Sequence, residues 1–474
     1  MVNKRGNFGS KLGAVLASAG SAVGLGNVWR FPTEVGNNGG AAFIFVYLIC
    51  IAVIGIPVMM SEFLIGRHTH TNTISAFAKL APGKWWRIEG IAGVFVAFLI
   101  LSYYIVISGW TLFYLIESLC GQLQGLQTTD LCALSARLGA KASDNGAQAA
   151  DYTQVFNDFV SNPWLPVLMG AAFMGLTHLI IARGVQSGIE KSSKVMMPML
   201  LFIIGILVVC SFGMPGSSEG LRFLLKPDFS KITADVILSA VGQAFFSLSL
   251  AMGCLCTYAS YFRSDTKLPK TATGVAIIDT FVAILSGFII FPAVFSVEEV
   301  SVDAGPGLVF ITLPNVFNIA FSHLPWLGYI FSGFFYLLLL LAALTSAISL
   351  HESVTAYVLE AFSVSRRKAS AAVSIACMTL GVACSLSFGV WSDLTLFGMN
   401  IFELFDFTAS KIILPIGGII ICLFTGWYLD RKLVESELTN GGTLRFRLFR
   451  LYYFIIRYVA PLAIAAVFVQ ELLS

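Results

Sequence analysis

Eleven apolar runs, each long enough to cross a bilayer, are the feature that most restricts what this chain can fold into. A membrane-spanning helix needs about 20 mostly apolar residues, because backbone polar groups must find partners inside the segment once water is gone. The runs lie near residues 12–31, 41–66, 88–119, 164–182, 192–213, 236–262, 272–296, 326–362, 370–390, 400–429 and 448–472. Only the connections 121–163 and 297–325 are sizeable, and neither fits a separate soluble domain. The expectation is an all-α integral membrane protein forming a single domain, residues 1–474. Composition excludes a soluble protein: 57% of residues are hydrophobic and 12% charged, against about a quarter charged in soluble domains. The bilayer is the expected partner, and a scattered net charge of +3 argues against nucleic acid.

Lysine and arginine in short loops set orientation. With the N-terminus inside, alternate loops on that side carry 21 basic residues, the opposite side five, and three more fall within or at the margins of runs. This predicts a multi-pass protein of the plasma membrane (a cell's inner membrane), N-terminus cytoplasmic and C-terminus outside. The polar start, MVNKRGNFGSK, leads into a glycine-broken run without an A-x-A-like cleavage site, so the first run is expected to be retained. The nine cysteines show neither zinc spacing nor a disulfide framework, although Cys120 and Cys132 flank a polar loop and can pair if it faces an oxidising compartment. Neither H-E-x-x-H nor G-x-S-x-G occurs, and the five histidines form no catalytic pattern, so an enzyme is not expected.

Two runs are interrupted. The first contains GSAVGLGN, Gly20 to Asn27, and the sixth contains SLSLAMG, Ser247 to Gly253. Small residues for close helix packing explain either segment alone. A matched pair, one in each set of five runs, points to an inverted-repeat transporter with a midplane site.

With these motifs the sequence resembles the neurotransmitter:sodium symporters, in particular their bacterial eleven-span amino-acid transporters. The resemblance rests on AGSAVGLGNVWRFP, NNGGAAF, IPVMMSEFLIGR, SYYIVISGW, VGQAFFSLSLAMG, TYASYFR, SGFIIFP, ALTSAISL and FELFDF, in order along the chain. It implies the LeuT-like fold: a 5+5 inverted repeat (about 10–213 and 235–430), an eleventh helix (about 448–472), and spans one and six unwound at mid-membrane. It also implies a sodium-coupled symporter importing amino acids by alternating access, as a monomer or weak homodimer. The alternatives are a same-fold carrier of another small zwitterion, such as a betaine- or GABA-like osmolyte, and an amino-acid sensor that does not transport.

The resemblance places two sodium ions. Sodium is a hard cation that prefers oxygen ligands, including carbonyls freed by unwound helix. One site would use Ala22, Asn27, Ser247 and Asp279, completed by the substrate carboxylate; the other would use Gly20, Val23, Ala342, Thr345 and Ser346. Substrate would contact Ala22, Gly24 and Gly26 at the break, with Tyr104 on its carboxylate. Gly24 stands where monoamine carriers have an aspartate, which implies a substrate bringing its own carboxylate. Ile100, Phe246, Ser249, Met252, Ser346 and Leu350 would form a mostly apolar side-chain pocket suited to large aliphatic or aromatic amino acids, Met252 repacking easily.

Arg30 and Asp406 match an outer gate above Phe246 and Tyr104, and Arg5 and Glu360 an inner one near Tyr261. Exposed ion pairs are worth about 0–1 kcal/mol, weak enough to break in every cycle. Glu62 is expected to hold the unwound first run, whereas Glu352 and Lys411 receive no role. Chloride-dependent relatives bind the anion among groups matching Tyr47, Gln243 and Ser247, with asparagine at the position of Asp279 and serine at that of Ala283. Here a fixed carboxylate replaces the asparagine, and at about 4 Å from sodium it is worth on the order of 4 kcal/mol at an effective dielectric near 20. Chloride is therefore not expected to be required. The competing expectation pairs Asp279 with a base such as Lys411.

Overall fold

A computed structural model describes residues 6–121, 152–296 and 307–473. Arg5 and Cys132, and with them the expected Arg5–Glu360 and Cys120–Cys132 contacts, lie outside the described residues. All eleven apolar runs are helical. Nine are continuous and long enough to span a bilayer: α2 (Ala41–Thr69), α3 (Arg87–Leu119), α4 (Leu165–Ala182), α5 (Val185–Ser211), α7 (Leu268–Val294), α8 (Pro325–Ala361), α9 (Arg366–Leu386), α10 (Ile401–Tyr428) and α11 (Phe449–Leu472). The two interrupted runs are broken. In α1, Lys11–Ala22 and Leu25–Asn37 meet at 63°; in α6, Ala234–Ser247 and Cys254–Ala259 are separated by six residues outside helix.

Local chemistry starts both broken helices in the same way. Ser10 accepts a hydrogen bond from Gly13 N at the head of α1, and Thr233 accepts from Val236 N at the head of α6. α5 begins at Val185, seven residues before the apolar run, because Gly184 turns the chain at φ 98°.

Two groups of helices emerge. α3, α4, α8 and α9 pack against one another, whereas both pieces of α6 lie on α2, and α1 and α2 both lie on α7. α1 also touches α5 and α8, so both breaks sit where the two groups meet. Close approach decides one of these contacts: a β-carbon on Gly66 of α2 would fall 2.0 Å from the carbonyl oxygen of Cys256. Only glycine lets the second piece of α6 lie this near.

Candidate functional site

The breaks face each other. α1 leaves helical geometry at Val23 and Gly24 and resumes at Leu25. α6 is turned by left-handed backbone at Ser249, Ala251 and Gly253 (φ 53°, 61° and 67°), a cost of about 1–3 kcal/mol for each non-glycine residue that the surroundings must offset. The offset is visible in hydrogen bonds. Ser249 Oγ donates to the carbonyl of Ser21 (2.9 Å), Glu62 accepts from the amide of Ala251 (2.7 Å), and Thr73 Oγ1 donates to the carbonyl of Gly253 (2.9 Å). Glu62 thus holds the sixth run, not the first as expected, because its position on α2 turns it towards α6.

Oxygen atoms gather beside the first break in two clusters. In one, Asn27 Nδ2 donates to Asp279 Oδ1 (2.7 Å), Ser247 Oγ donates to Asp279 Oδ2 (2.7 Å) and Tyr47 OH donates to Ser247 Oγ (3.3 Å). Asn27 Oδ1 meanwhile accepts from the amide of Gly24 (2.9 Å). Asn27 and Asp279 are buried, at 1% and 0% exposure. Lys411 is elsewhere, paired with Glu471 at 3.0 Å, so it does not neutralise Asp279. Both side-chain polar atoms of Gln243, one turn before Ser247, are buried without a hydrogen-bond partner. Ala283 is buried on α7, one turn beyond Asp279.

The second cluster joins α8 to the break. Thr345 Oγ1 lies 3.3 Å from the carbonyl oxygen of Val23 and 3.0 Å from that of Ala342; Ser346 Oγ lies 3.0 Å from Val23 O. A β-carbon on Gly20 would stand 3.2 Å from Thr345 Cβ, so that residue belongs to the same cluster. Two hydroxyls and carbonyls freed by unwinding offer the donor set of a hard monovalent cation.

Between the clusters lies Gly24. A β-carbon there would be 2.6 Å from Ser346 Oγ and 3.4 Å from Tyr104 OH, so the Ser346 hydroxyl occupies the place that any larger side chain would need. Leu25 N donates to Tyr104 OH at 3.3 Å, which fixes that phenol at the start of the resumed helix. Gly26 faces Phe246 in the same way, its β-carbon position 2.9 Å from the ring. Ala22, Ile100, Met252 and Leu350 are buried on α1, α3, the α6 break and α8.

Three comparisons identify what this arrangement belongs to. The chain is 43% identical to the MhsT structure solved in complex with L-phenylalanine and superimposes with a TM-score of 0.85, covering 98% of this chain and 100% of that one. It is 37% identical to the uncharacterized sodium-dependent transporter YhdH of Bacillus subtilis (strain 168), over 98% of this chain and 97% of YhdH. It is 29% identical to the sodium- and chloride-dependent GABA transporter 2 of Bos taurus, over 86% of this chain and 70% of that one. The sequence profile described as the Sodium:neurotransmitter symporter family matches residues 5–474. The chain belongs to this family. It is accordingly a multi-pass, sodium-dependent symporter with the LeuT-like fold, in a family of transporters rather than enzymes.

The two ends of the symporter are built differently. At the end carrying the N-terminal segment, Gly9 N and Ser10 Oγ donate to Glu190 of α5 (2.6 and 2.9 Å), and Phe8 N donates to the carbonyl of Tyr261 (3.0 Å) while its ring packs edge-on against Tyr258 and Tyr261. Outside the bilayer runs, Lys11 pairs with Asp265 at 2.9 Å and holds that carboxyl below its ordinary range. Tyr261 OH donates to Glu352 (2.6 Å), whose other oxygen takes Arg366. Glu360 accepts from the backbone and side chain of Asn72 (3.1 and 2.6 Å). At the opposite end the expected Arg30–Asp406 contact is not made. Arg30 lies over the ring of Phe246 at 4.3 Å, and Asp406 accepts from Tyr103 OH (2.9 Å) and Ser410 (3.0 Å).

Sequence reasoning missed Tyr103 and the Glu352–Arg366–Tyr261 cluster. Charge inside an apolar run was the available signal for Glu352; its partner Arg366, 14 positions on, reads from sequence as an ordinary loop cation.

Proposed function

We propose that this symporter couples two sodium ions to the import of large hydrophobic or aromatic amino acids, without chloride, by alternating access. The observation that carries the reading is the convergence of two separate oxygen clusters on one helix break. Asn27, Ser247 and Asp279, with the Ala22 carbonyl and the substrate carboxylate, would bind one ion; Gly20, Val23, Ala342, Thr345 and Ser346 would bind the other. Tyr104 and the amides at the α1 break would receive the carboxylate, where free N–H groups favour an anion. No charged side chain is expected among Ile100, Phe246, Ser249, Met252, Ser346 and Leu350, which suits an apolar solute side chain, and the MhsT structure holds L-phenylalanine. Asp279 would supply the negative charge that chloride supplies in chloride-dependent relatives.

Arg30, Asp406, Phe246 and Tyr104 would close one end in turn with Arg5, Glu360 and Tyr261 at the other, the N-terminus lying in the cytoplasm. The group α1, α2, α6 and α7 would rock against α3, α4, α8 and α9. Binding of the twenty common amino acids to purified protein, with and without sodium, tests the reading. Sodium-dependent binding of phenylalanine, tyrosine, tryptophan or leucine is expected. Tight binding of tyramine or tryptamine, which lack the carboxylate, would overturn it, and preference for a betaine or GABA would favour an osmolyte carrier.

A further inference from the structure

α11 carries an arginine within its apolar run that no carboxylate answers. Arg457 lies eight positions after Phe449, where α11 begins, or about 12 Å along the helix axis. Cations at membrane depth are rare and normally pair with an acid or a backbone carbonyl. Among the described residues, the Arg457 side chain makes neither an ion pair nor a hydrogen bond. Its guanidinium lies instead over the ring of Trp427, 4.0 Å from the centroid, and 5.5 Å from that of Tyr458.

Close packing of α10 on α11 fixes this arrangement. A β-carbon on Gly426 would fall 2.9 Å from Arg457 Cα, and Trp427 Nε1 donates to the carbonyl of Arg457 (2.9 Å). Trp427 is the next-to-last residue of α10, and tryptophan and tyrosine settle at the depth of lipid headgroups. A long side chain on a helix leans towards the helix N-terminus. Arg457 therefore reaches towards the membrane face at which α10 ends and α11 begins. Trp427 and Tyr458, 54% and 42% exposed, lie on the lipid-facing surface of the bundle. Arg457 Nε is buried without a partner, whereas its two terminal nitrogens, equally without partners, are not buried. Stacking on a ring offsets part of the cost of the charge but satisfies none of these N–H groups.

A second cation lies along the same stripe of α11. Phe449, Tyr453 and Arg457 are spaced four apart and share one side of the helix. Arg431, at the start of the short helix that follows α10 (Arg431–Leu438), stands 5.6 Å from the Phe449 ring and 5.4 Å from the Tyr453 ring. It too makes no ion pair with a described residue.

We propose that the surface where α10 ends and α11 begins binds the phosphate of an anionic phospholipid, held by the terminal nitrogens of Arg457 beside Trp427. Arg431 favours a headgroup of net negative charge. A guanidinium presents paired N–H groups that match a phosphate, and basic places between membrane helices take such headgroups. The proposal does not depend on which solute is carried.

Native mass spectrometry of the purified full chain, with phosphatidylglycerol or phosphatidylcholine added at equal concentration, counts the lipids retained. The wild type should keep phosphatidylglycerol at an occupancy at least about fivefold above that of phosphatidylcholine, and Arg457→Gln should lower it by about the same factor. Arg431→Gln should narrow the preference between the two lipids. Arg183→Gln, which removes an exposed cation between α4 and α5, should leave it unchanged. If Arg457→Gln does not fold, Arg457→Lys, which keeps the charge without the planar fork, should still lower retention. Equal occupancy of the two lipids in the wild type, or retention untouched by substitution of Arg457, overturns the proposal. A loss as large in Arg183→Gln would mean attraction to charge anywhere on that face, and overturns it as well.

Discussion

In the proposed mechanism Asp279 is the residue on which the ion chemistry would turn. It sits between the Asn27 amide and the Ser247 hydroxyl with no base beside it. A carboxylate so placed would supply the charge that favours sodium, and Asp279→Asn removes it while preserving shape. The sodium concentration for half-maximal substrate binding should then rise about tenfold or more, equivalent to at least about 1.4 kcal/mol. Exchanging chloride for gluconate should leave wild-type uptake unchanged, and uptake that collapses on exchange would remove Asp279 from this role. Thr345→Ala with Ser346→Ala deletes both side-chain oxygens of the second cluster, so the double variant should also need about tenfold more sodium; an unchanged curve in folded protein would contradict that assignment. Gly24→Ala inserts a methyl 2.6 Å from Ser346 Oγ and should abolish sodium-dependent binding. Gly24, Thr345 and Ser346 were legible in the sequence because they lie within contiguous motifs, and Asp279, seven residues before SGFIIFP, was placed by its register to that motif. Tyr103 was not, since its neighbour Tyr104 carried the resemblance, and helix rotation alone decides which of two adjacent phenols reaches Asp406.

At the scale of an element, the α6 break is the part most exposed to substitution. Its sequence, SLSLAMG, announced an interruption, but its one glycine, Gly253, supplies only one of three left-handed residues; Ser249 and Ala251 adopt the others under tertiary restraint. Ala251→Gly should change stability by less than about 1 kcal/mol, the relief of φ being offset by the freer unfolded chain. Ala251→Val, β-branched at positive φ, should cost about 1–3 kcal/mol, read as a lowered thermal midpoint in detergent. Equal midpoints for the two variants would mean that the break relaxes. The same limit explains what sequence could not supply here. A run of apolar residues fixes that a helix forms, but the partner of Glu62 depends on how α2 is rotated against α6, and Gly66 sets that packing through an approach no local pattern encodes.

For the whole molecule, the two ends carry unequal restraint. The N-terminal segment is tied to α5 through Glu190 and to the second piece of α6 through Phe8, whereas Arg30 and Asp406 at the other end are each engaged elsewhere. A chain that alternates between states must be able to release the tied end, and hydrogen bonds to a charged group are worth about 1.5–3 kcal/mol each. Glu190→Gln keeps the size of the latch but removes its charge. It should shift the balance towards an open N-terminal end by about 1–3 kcal/mol, or roughly 5–150-fold in population. Spin labels at Asn7→Cys and Ser187→Cys report this directly, because Gln186 bonds the carbonyl of Asn7 at 2.8 Å in the latched arrangement. The wild type should give one short distance, and Glu190→Gln should add a longer, broader component that shrinks again when sodium is supplied. If the Thr345–Ser346 cluster binds sodium as proposed, sodium would act in this direction, because that cluster ties the α1 break to α8 through the Val23 carbonyl and ligand binding stabilises only the state that presents the assembled site. A single unchanged distance in the variant would show that Glu190 braces α5 without controlling the opening.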